Sequence, residues 1–314
     1  MKKLFALLAF ISIAGLGAFA SGQGDEAVKS ETLNNKIKPI IAVSILPQAY
    51  FVDRIGGDTV QTLVLVGPGK DPHTYEPSPK QMQDLSRASA WILSNTDFEI
   101  GLKPKIASLY PSLLMIDGTE GATFRQIEEH HHEGKEAAVI AQTPAEEAAP
   151  TAMELDRHTW LGRENAKILA GHVRDTLTKL LPENTAQYQK RYQDLIREID
   201  DLFNQLDKDL ALLKGTKVFV FHPSFGYFFD EFGIQQEAIE TGGKEPNAKT
   251  LSAIMEEARK DQVKVIFVQA QFPTTAAKTI ADNLGAQVVP LDPLAYDWMS
   301  NIKLMGEALQ KAAK

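Results

Sequence analysis

A chain of 314 residues, 44% apolar and 24% charged, has room for two domains with ordinary soluble cores. Its net charge of −8, without a basic patch, excludes nucleic-acid binding built on phosphate neutralisation and disfavours anionic lipid surfaces. Cysteine is absent, so no disulfide can staple the fold and no lipid can be attached through a thiol.

Lys2 and Lys3 precede an apolar run from Leu4 to Ala20 that closes on Ala18-Phe19-Ala20. A positive end, an apolar centre and an A-x-A site predict a secretory signal peptide over residues 1–20, cleaved after Ala20. Gly15 and Gly17 and the modest length make the run a poor membrane anchor. Export without a lipid anchor points to the periplasm. Residues 21–38 are polar and aperiodic and read as a flexible leader. A first α/β lobe then spans 39–183, with strands expected at 39–45, 59–66, 91–94 and 113–116 and helices at 48–55 and 77–87. Residues from about 119 to 153 break that rhythm with His130, His131 and His132, many Ala and Glu, and no period; they predict a disordered insertion.

From 184 to 213 the residues Tyr188, Tyr192, Leu195, Ile199, Leu202, Leu206, Leu210 and Leu213 recur at spacings of three and four, a one-sided stripe on a long helix. Thirty residues at about 1.5 Å each give about 45 Å, more than one small domain needs, so this helix is expected to link two lobes. The rhythm resumes over 214–314, with strands at 217–221, 235–239, 263–268 and 287–291 and helices at 250–259, 275–284 and 299–311. Strands alternating with helices predict mostly parallel sheets, so the expected architecture is two α/β lobes joined by one long rigid helix. No internal repeat is visible among the motifs.

Three of the seven histidines stand in marked places. His73 lies in the turn-rich loop Gly67-Pro-Gly-Lys-Asp-Pro-His73-Thr-Tyr-Glu-Pro77, directly after a strand. His222 closes the strand Lys217-Val-Phe-Val-Phe-His222, and Asp292 closes Gln287-Val-Val-Pro-Leu-Asp292; each is followed by proline. Ligands of open α/β sheets gather beyond the carboxyl ends of strands, where all three fall. His158, in Asp156-Arg-His158-Thr-Trp160, stands where the insertion ends and a helix begins. Three imidazoles and one carboxylate form a tetrahedral set suited to zinc, whereas manganese favours more oxygen. Taken singly, each histidine reads more plainly as a loop residue with a local hydrogen bond; their joint placement favours a metal. Asp71 and Glu76 could orient the His73 ring or simply serve the turn. The His130–His132 triplet could collect zinc or be a plain polar run. His172 reads as surface or packing, Tyr227, Phe228, Phe229 and Phe232 as core, and Trp160 as a neighbour of the site.

GPGKDPHTYEPSP around His73, DRHTW around His158, FHPSFGYF around His222, TGGKEPNAKTL near Gly242 and LDPL around Asp292 resemble the metal-binding receptors of ABC transporters, most closely the high-affinity zinc-uptake type. The resemblance runs from about 39 to 309. It implies that His73, His158, His222 and Asp292 hold Zn2+ in the cleft between the lobes; a histidine at the third position marks zinc-type members, where manganese-type members carry glutamate. It further implies a periplasmic monomer without enzymatic turnover that delivers Zn2+ to an import permease. Two departures stand out: Arg157 replaces the usual proline before the second histidine, and Gln269-Ala270 replaces a common glutamate-proline, a change expected at the rim of the second lobe rather than in the metal shell. A zinc hydrolase would keep an open water position and bring a general base in a motif such as H-E-x-x-H, which the sequence lacks. Surface metal buffering or adhesion fits less well without a lipidated cysteine.

Overall fold

The computed structural model of the chain describes residues 38–127, 155–240, 246–269, 271–272 and 275–312. The expected signal peptide, nearly all of the leader, the His130–His132 triplet, Gly242 and Ala270 lie outside the described residues.

The first sheet is built from β1 (Ile40–Ile45), β2 (Gln61–Val66), β3 (Ala90–Leu93) and β4 (Leu114–Asp117), all parallel in the order β2-β1-β3-β4. Strand β1 reads IIAVSI and is buried from Ile41 onward, a nearly continuous apolar run, interrupted only by Ser44, of a strand covered on both faces. Helix α1 (Leu46–Gly56) follows at once, with Pro47 in its first turn, and ends at Gly57, whose φ of 60° lies in the region that favours glycine. The buried amide of Gln48 accepts from the Ser44 and Ile45 N–H groups and donates to the Ile92 carbonyl, locking the β1–α1 turn to β3. Helix α2 (Pro79–Leu85) starts on a Ser78 cap, and α3 (Asp97–Leu109) carries Asp97 and Glu99 in its first turn, where negative charge meets the positive end of the helix.

The second sheet, β5 (Lys217–Val220), β6 (Gln235–Ala238), β7 (Val265–Val268) and β8 (Gln287–Pro290), is also parallel, in the order β6-β5-β7-β8. Both lobes thus place their second strand outside their first and then add the third and fourth on the other side. The repeat absent from the motifs is present in the topology. Helices α6 (Gly226–Asp230), α7 (Ala248–Lys260), α8 (Thr275–Leu284) and α9 (Trp298–Ala312) belong to this half.

Between the sheets run α4 (Arg163–Leu180) and α5 (Thr185–Asp209), the latter 25 residues or about 37 Å long. Tyr188, Leu195, Ile199, Phe203 and Leu206 form the buried stripe of α5. One continuous apolar core includes Ile41, Phe51 and Trp91 of the first half, this stripe, and Phe228, Trp298 and Met305 of the second. A smaller core gathers Phe219, Phe221, Ile254, Ile266 and Ile280 under α7 and α8. Gly306 brings α9 against α5: a Cβ there would lie 2.3 Å from Leu206 Cδ2.

Residues 119–127, which the sequence places in the insertion, are held in the fold. Thr123 N–H donates to Asn165 Oδ1 at 3.1 Å, Asp156 N–H to the Arg125 carbonyl at 2.9 Å, and Gln126 pairs with Leu155 in an antiparallel bridge. These bonds are irregular, which is why no periodicity announces them. Among the described residues no helix is long and apolar enough to cross a membrane.

Candidate metal centre

Three of the four candidate side chains meet. The loop after β2 brings in His73, with Asp71 accepting from the His73 N–H at 2.9 Å and the Thr74 hydroxyl at 3.1 Å in a turn typical of aspartate. His158 sits at the mouth of the short 3-10 turn Thr159–Leu161, and His222 lies just past the end of β5. His222 Nε2 is 3.1 Å from His73 Nε2 and 3.4 Å from His158 Nε2, and one ring nitrogen from each of the three lies within 4.8 Å of the others. Two nitrogens bound to one tetrahedral zinc at its usual bond length stand about 3.3 Å apart. The spacing therefore fits a shared ion.

The other ring nitrogen of each histidine meets a carboxylate. His73 Nδ1 is 2.5 Å from Asp97 Oδ2, His158 Nδ1 is 2.8 Å from Asp156 Oδ1, and His222 Nδ1 is 2.8 Å from Glu240 Oε1. A carboxylate only accepts, so each Nδ1 carries the proton and each Nε2 turns a lone pair toward the others. Three facing lone pairs repel unless a cation lies between them. Burial pushes His222 down to about 4, helped by the charges of His158 and His73 and opposed by its bond to Glu240, so it is neutral at pH 7. Burial also acts to lower His73, but its bond to Asp97 and the negative charges of Asp71, Asp97 and Glu240 hold it above the ordinary histidine value. The carboxylates bear further contacts: Asp97 Oδ1 lies 3.4 Å from Arg157 Nε, and Asp156 Oδ2 lies 3.0 Å from Arg125 NH1.

Asp292 stands outside this group. Its Oδ1 accepts from Gln271 Nε2 at 3.0 Å and from the Leu294 N–H at 2.9 Å, one hydrogen-bonded step from the pocket that Gln271 helps to line. Phe272 stacks on His222, ring centroids 4.5 Å apart, and Trp160 meets His158 edge-on at 5.4 Å. Tyr227, Phe228, Phe229 and Phe232 are buried in the core, and His172 hydrogen-bonds the Glu120 carbonyl.

Gln269 is not a rim residue. It is fully buried; its amide donates to the His222 carbonyl at 2.5 Å and to Ser224 Oγ at 2.8 Å, and accepts from the His222 N–H at 3.2 Å. Its place one residue past β7, beside β5, carries it under His222, so the departure falls directly behind a candidate ligand. Arg157, the other departure, donates to the Asn95 carbonyl at 2.8 Å and lies 3.4 Å from Asp97, the carboxylate that holds the His73 ring. Sequence reasoning missed Asp97, Asp156 and Glu240 as ring partners; of these only Asp156, two residues before its histidine, left a local signal.

Two parallel α/β lobes, with three imidazoles brought together from the loops after β2 and β5 and from the turn before α4, define a two-lobed protein with one candidate metal centre. The chain belongs to the family described as zinc-uptake complex component A, periplasmic (ZnuA), whose sequence model matches residues 41–312. Among its relatives, the zinc-binding lipoprotein AdcA of Streptococcus pneumoniae (strain ATCC BAA-255 / R6) is 25% identical over 309 residues, covering 94% of this chain and 56% of AdcA. The chain thus spans about half the length of the curated relatives it matches first. A crystal structure of ZnuA superposes with a TM-score of 0.78 at 34% identity, covering 88% of this chain and 100% of that one. A zinc-bound ZnuA mutant lacking residues 138–173 of its own chain gives 0.76 at 33% identity, covering 88% and 98%. The periplasmic zinc-binding protein TroA of Treponema pallidum shares the fold, with a TM-score of 0.72 at 20% identity over 88% of this chain and 99% of TroA.

Proposed function

We propose that the chain is a periplasmic receptor that captures Zn2+ on Nε2 of His73, His158 and His222 and delivers it to the membrane permease of an ABC importer. The observation that carries this reading is the convergence of three Nε2 atoms at 3.1 and 3.4 Å, each ring fixed by a carboxylate on Nδ1. Nitrogen ligands in that number suit zinc better than manganese. Relatives named for zinc binding and zinc uptake support it. Asp292 is the proposed fourth ligand, reached when its carboxylate leaves Gln271 and turns inward; the closed tetrahedron then stores and transfers the ion instead of activating water. The receptor acts as a monomer, with residues 1–20 removed after Ala20 and residues 184–213 linking its lobes; deleting residues 128–150 and measuring zinc stoichiometry decides whether His130–His132 collect zinc or form a plain polar run.

Elemental analysis of protein purified without added metal or chelator should find zinc. In competition with a chelator, His73→Ala, His158→Ala or His222→Ala should each lower zinc affinity by about 100-fold or more, since each removes one bond from a small set. Asp292→Ala should cost less, because water can take the vacated position. Parent-like affinity in His222→Ala would end the proposed site.

A further inference from the structure

Arg125 lies in the stretch the sequence assigns to the insertion, yet its guanidinium is largely enclosed. NH1 contacts Asp156 Oδ2 at 3.0 Å, and Nε contacts Asp230 Oδ2 at 2.8 Å. Asp156 is wholly buried, and its other oxygen accepts from both the ring and the backbone N–H of His158, at 2.8 and 2.9 Å. Asp230 closes α6 in the second lobe. The phenol of Tyr227, also on α6, accepts from the Arg125 N–H at 3.1 Å and donates to the Asp156 carbonyl at 2.7 Å. Gly226 leaves space for the side chain: a Cβ there would lie 1.6 Å from Arg125 NH1, so a larger residue at 226 would oblige the guanidinium to move from its present place. The glycine of FHPSFGYF thereby has a definite task, which is to admit an arginine from the other lobe.

We propose that Arg125 is a positioning residue for zinc capture: it fixes the carboxylate that orients His158 and ties that carboxylate to the second lobe. The inference rests on the reading of the three histidines as zinc ligands. The chain of contacts His158–Asp156–Arg125–Asp230 makes the setting of a first-lobe imidazole depend on where α6 of the second lobe stands. Partners that hold a ligating imidazole in place are worth about 10- to 100-fold in metal affinity when lost.

The test uses the full chain loaded with zinc, with release into excess chelator followed over time and the melting temperature of the metal-free protein as a folding control. Arg125→Gln should release zinc about 10-fold faster or more. Arg125→Lys, which keeps a charge but reaches one carboxylate at a time, should recover part of that loss. Asp230→Asn, altering only the exposed end of the chain of contacts, should show a smaller acceleration, and adding it to Arg125→Gln should bring no further change. A cobalt-loaded Arg125→Gln protein should show shifted d–d absorption, which a loss of stability alone does not produce. Parent-like release from both Arg125→Gln and Arg125→Lys, or full additivity of Arg125→Gln with Asp230→Asn, would overturn the proposal. If Arg125→Gln does not fold, parent-like release from Arg125→Lys together with Asp230→Asn overturns it as well. His158→Ala separates the two levels: if it binds zinc as the parent does, the zinc reading falls and takes this inference with it. If it loses zinc while the arginine variants behave as the parent, only the role of Arg125 falls.

Discussion

At each histidine the atom facing away from the centre decides what the facing atom can do. With Nδ1–H committed to Asp97, Asp156 or Glu240, Nε2 is left as a bare donor to metal. Protons compete for that atom. His73 is held above its ordinary value while His222 sits at about 4, so His73 is the first of this pair to take a proton as pH falls. The rise in melting temperature caused by zinc should therefore be large at pH 7.5 and much reduced at pH 5. Thermal melting with and without zinc at both values checks this; an equal shift at both would mean other ligands. Gln269 allows a second test. Gln269→Glu keeps the shape but loses the donor that serves the His222 carbonyl and Ser224, and buries a carboxylate. The expected cost is about 1–3 kcal/mol by urea denaturation, with weaker zinc binding because the His222 backbone loses its clamp. The three histidines could be singled out in the sequence because His73 and His222 follow strands in turn-rich motifs and His158 stands just before a helical segment, and the rings do meet. Their partners could not: Asp97 and Glu240 lie 24 and 18 residues from the rings they hold. Local spacing pointed to Asp71 and Glu76, but Asp71 serves the backbone of its own turn and Glu76 is exposed.

At the level of elements, the sequence located the eight strands of the described residues and the long helix α5, mostly through apolar runs and stripes that burial leaves in the chain, although β6 (QQEA) carries little of that signal. Helix α3 went unread: Gly101 and Pro104 interrupt it, and only Phe98, Glu99 and Ile106 are buried. Glu99 itself is informative. Its carboxylate accepts from the Ser94 N–H at 2.9 and 3.1 Å and from the Thr96 N–H at 3.2 Å, yet burial outweighs these bonds and raises it to about 7. In the unfolded chain it titrates near 4.5. Below that pH both states hold the proton; between about 4.5 and 7 the fold keeps a proton the unfolded chain has shed; above about 7 the fold must bury a charge. Stability from this group is thus lost as pH rises through that window, by on the order of 2–3 kcal/mol. Glu99→Gln should flatten the pH dependence of unfolding between pH 4.5 and 7, measured by denaturant titration at several pH values.

At the scale of the molecule, the two lobes are two sheets around one main core. Trp160 Nε1 donates to the Pro293 carbonyl and Trp298 Nε1 to the Trp160 carbonyl, both at 2.7 Å, and Trp298 also packs against Phe51 of α1 and Phe203 of α5. The two hydrogen bonds join residues 133 and 138 positions apart, so the α/β rhythm predicts two lobes but not their fusion. Trp298→Ala should cost about 3–5 kcal/mol, and fluorescence and circular dichroism should still report one shared transition on denaturation. Two separate transitions would show lobes that fold independently.

Fusion of the lobes also governs how an ion exchanges. A core continuous through α5 and α9 does not part easily, so traffic must pass where the wall is already thin. The side chains of His158 and His222 are 5% and 6% exposed, whereas that of His73 is 29% exposed. If zinc binds as proposed, an arriving ion meets His73 first and a departing one leaves it last. The loop around His73 is then the kinetic doorway of the centre: substitutions there should change the rate of capture most, while those around His158 and His222 should change how firmly the ion is kept and so how fast it is released.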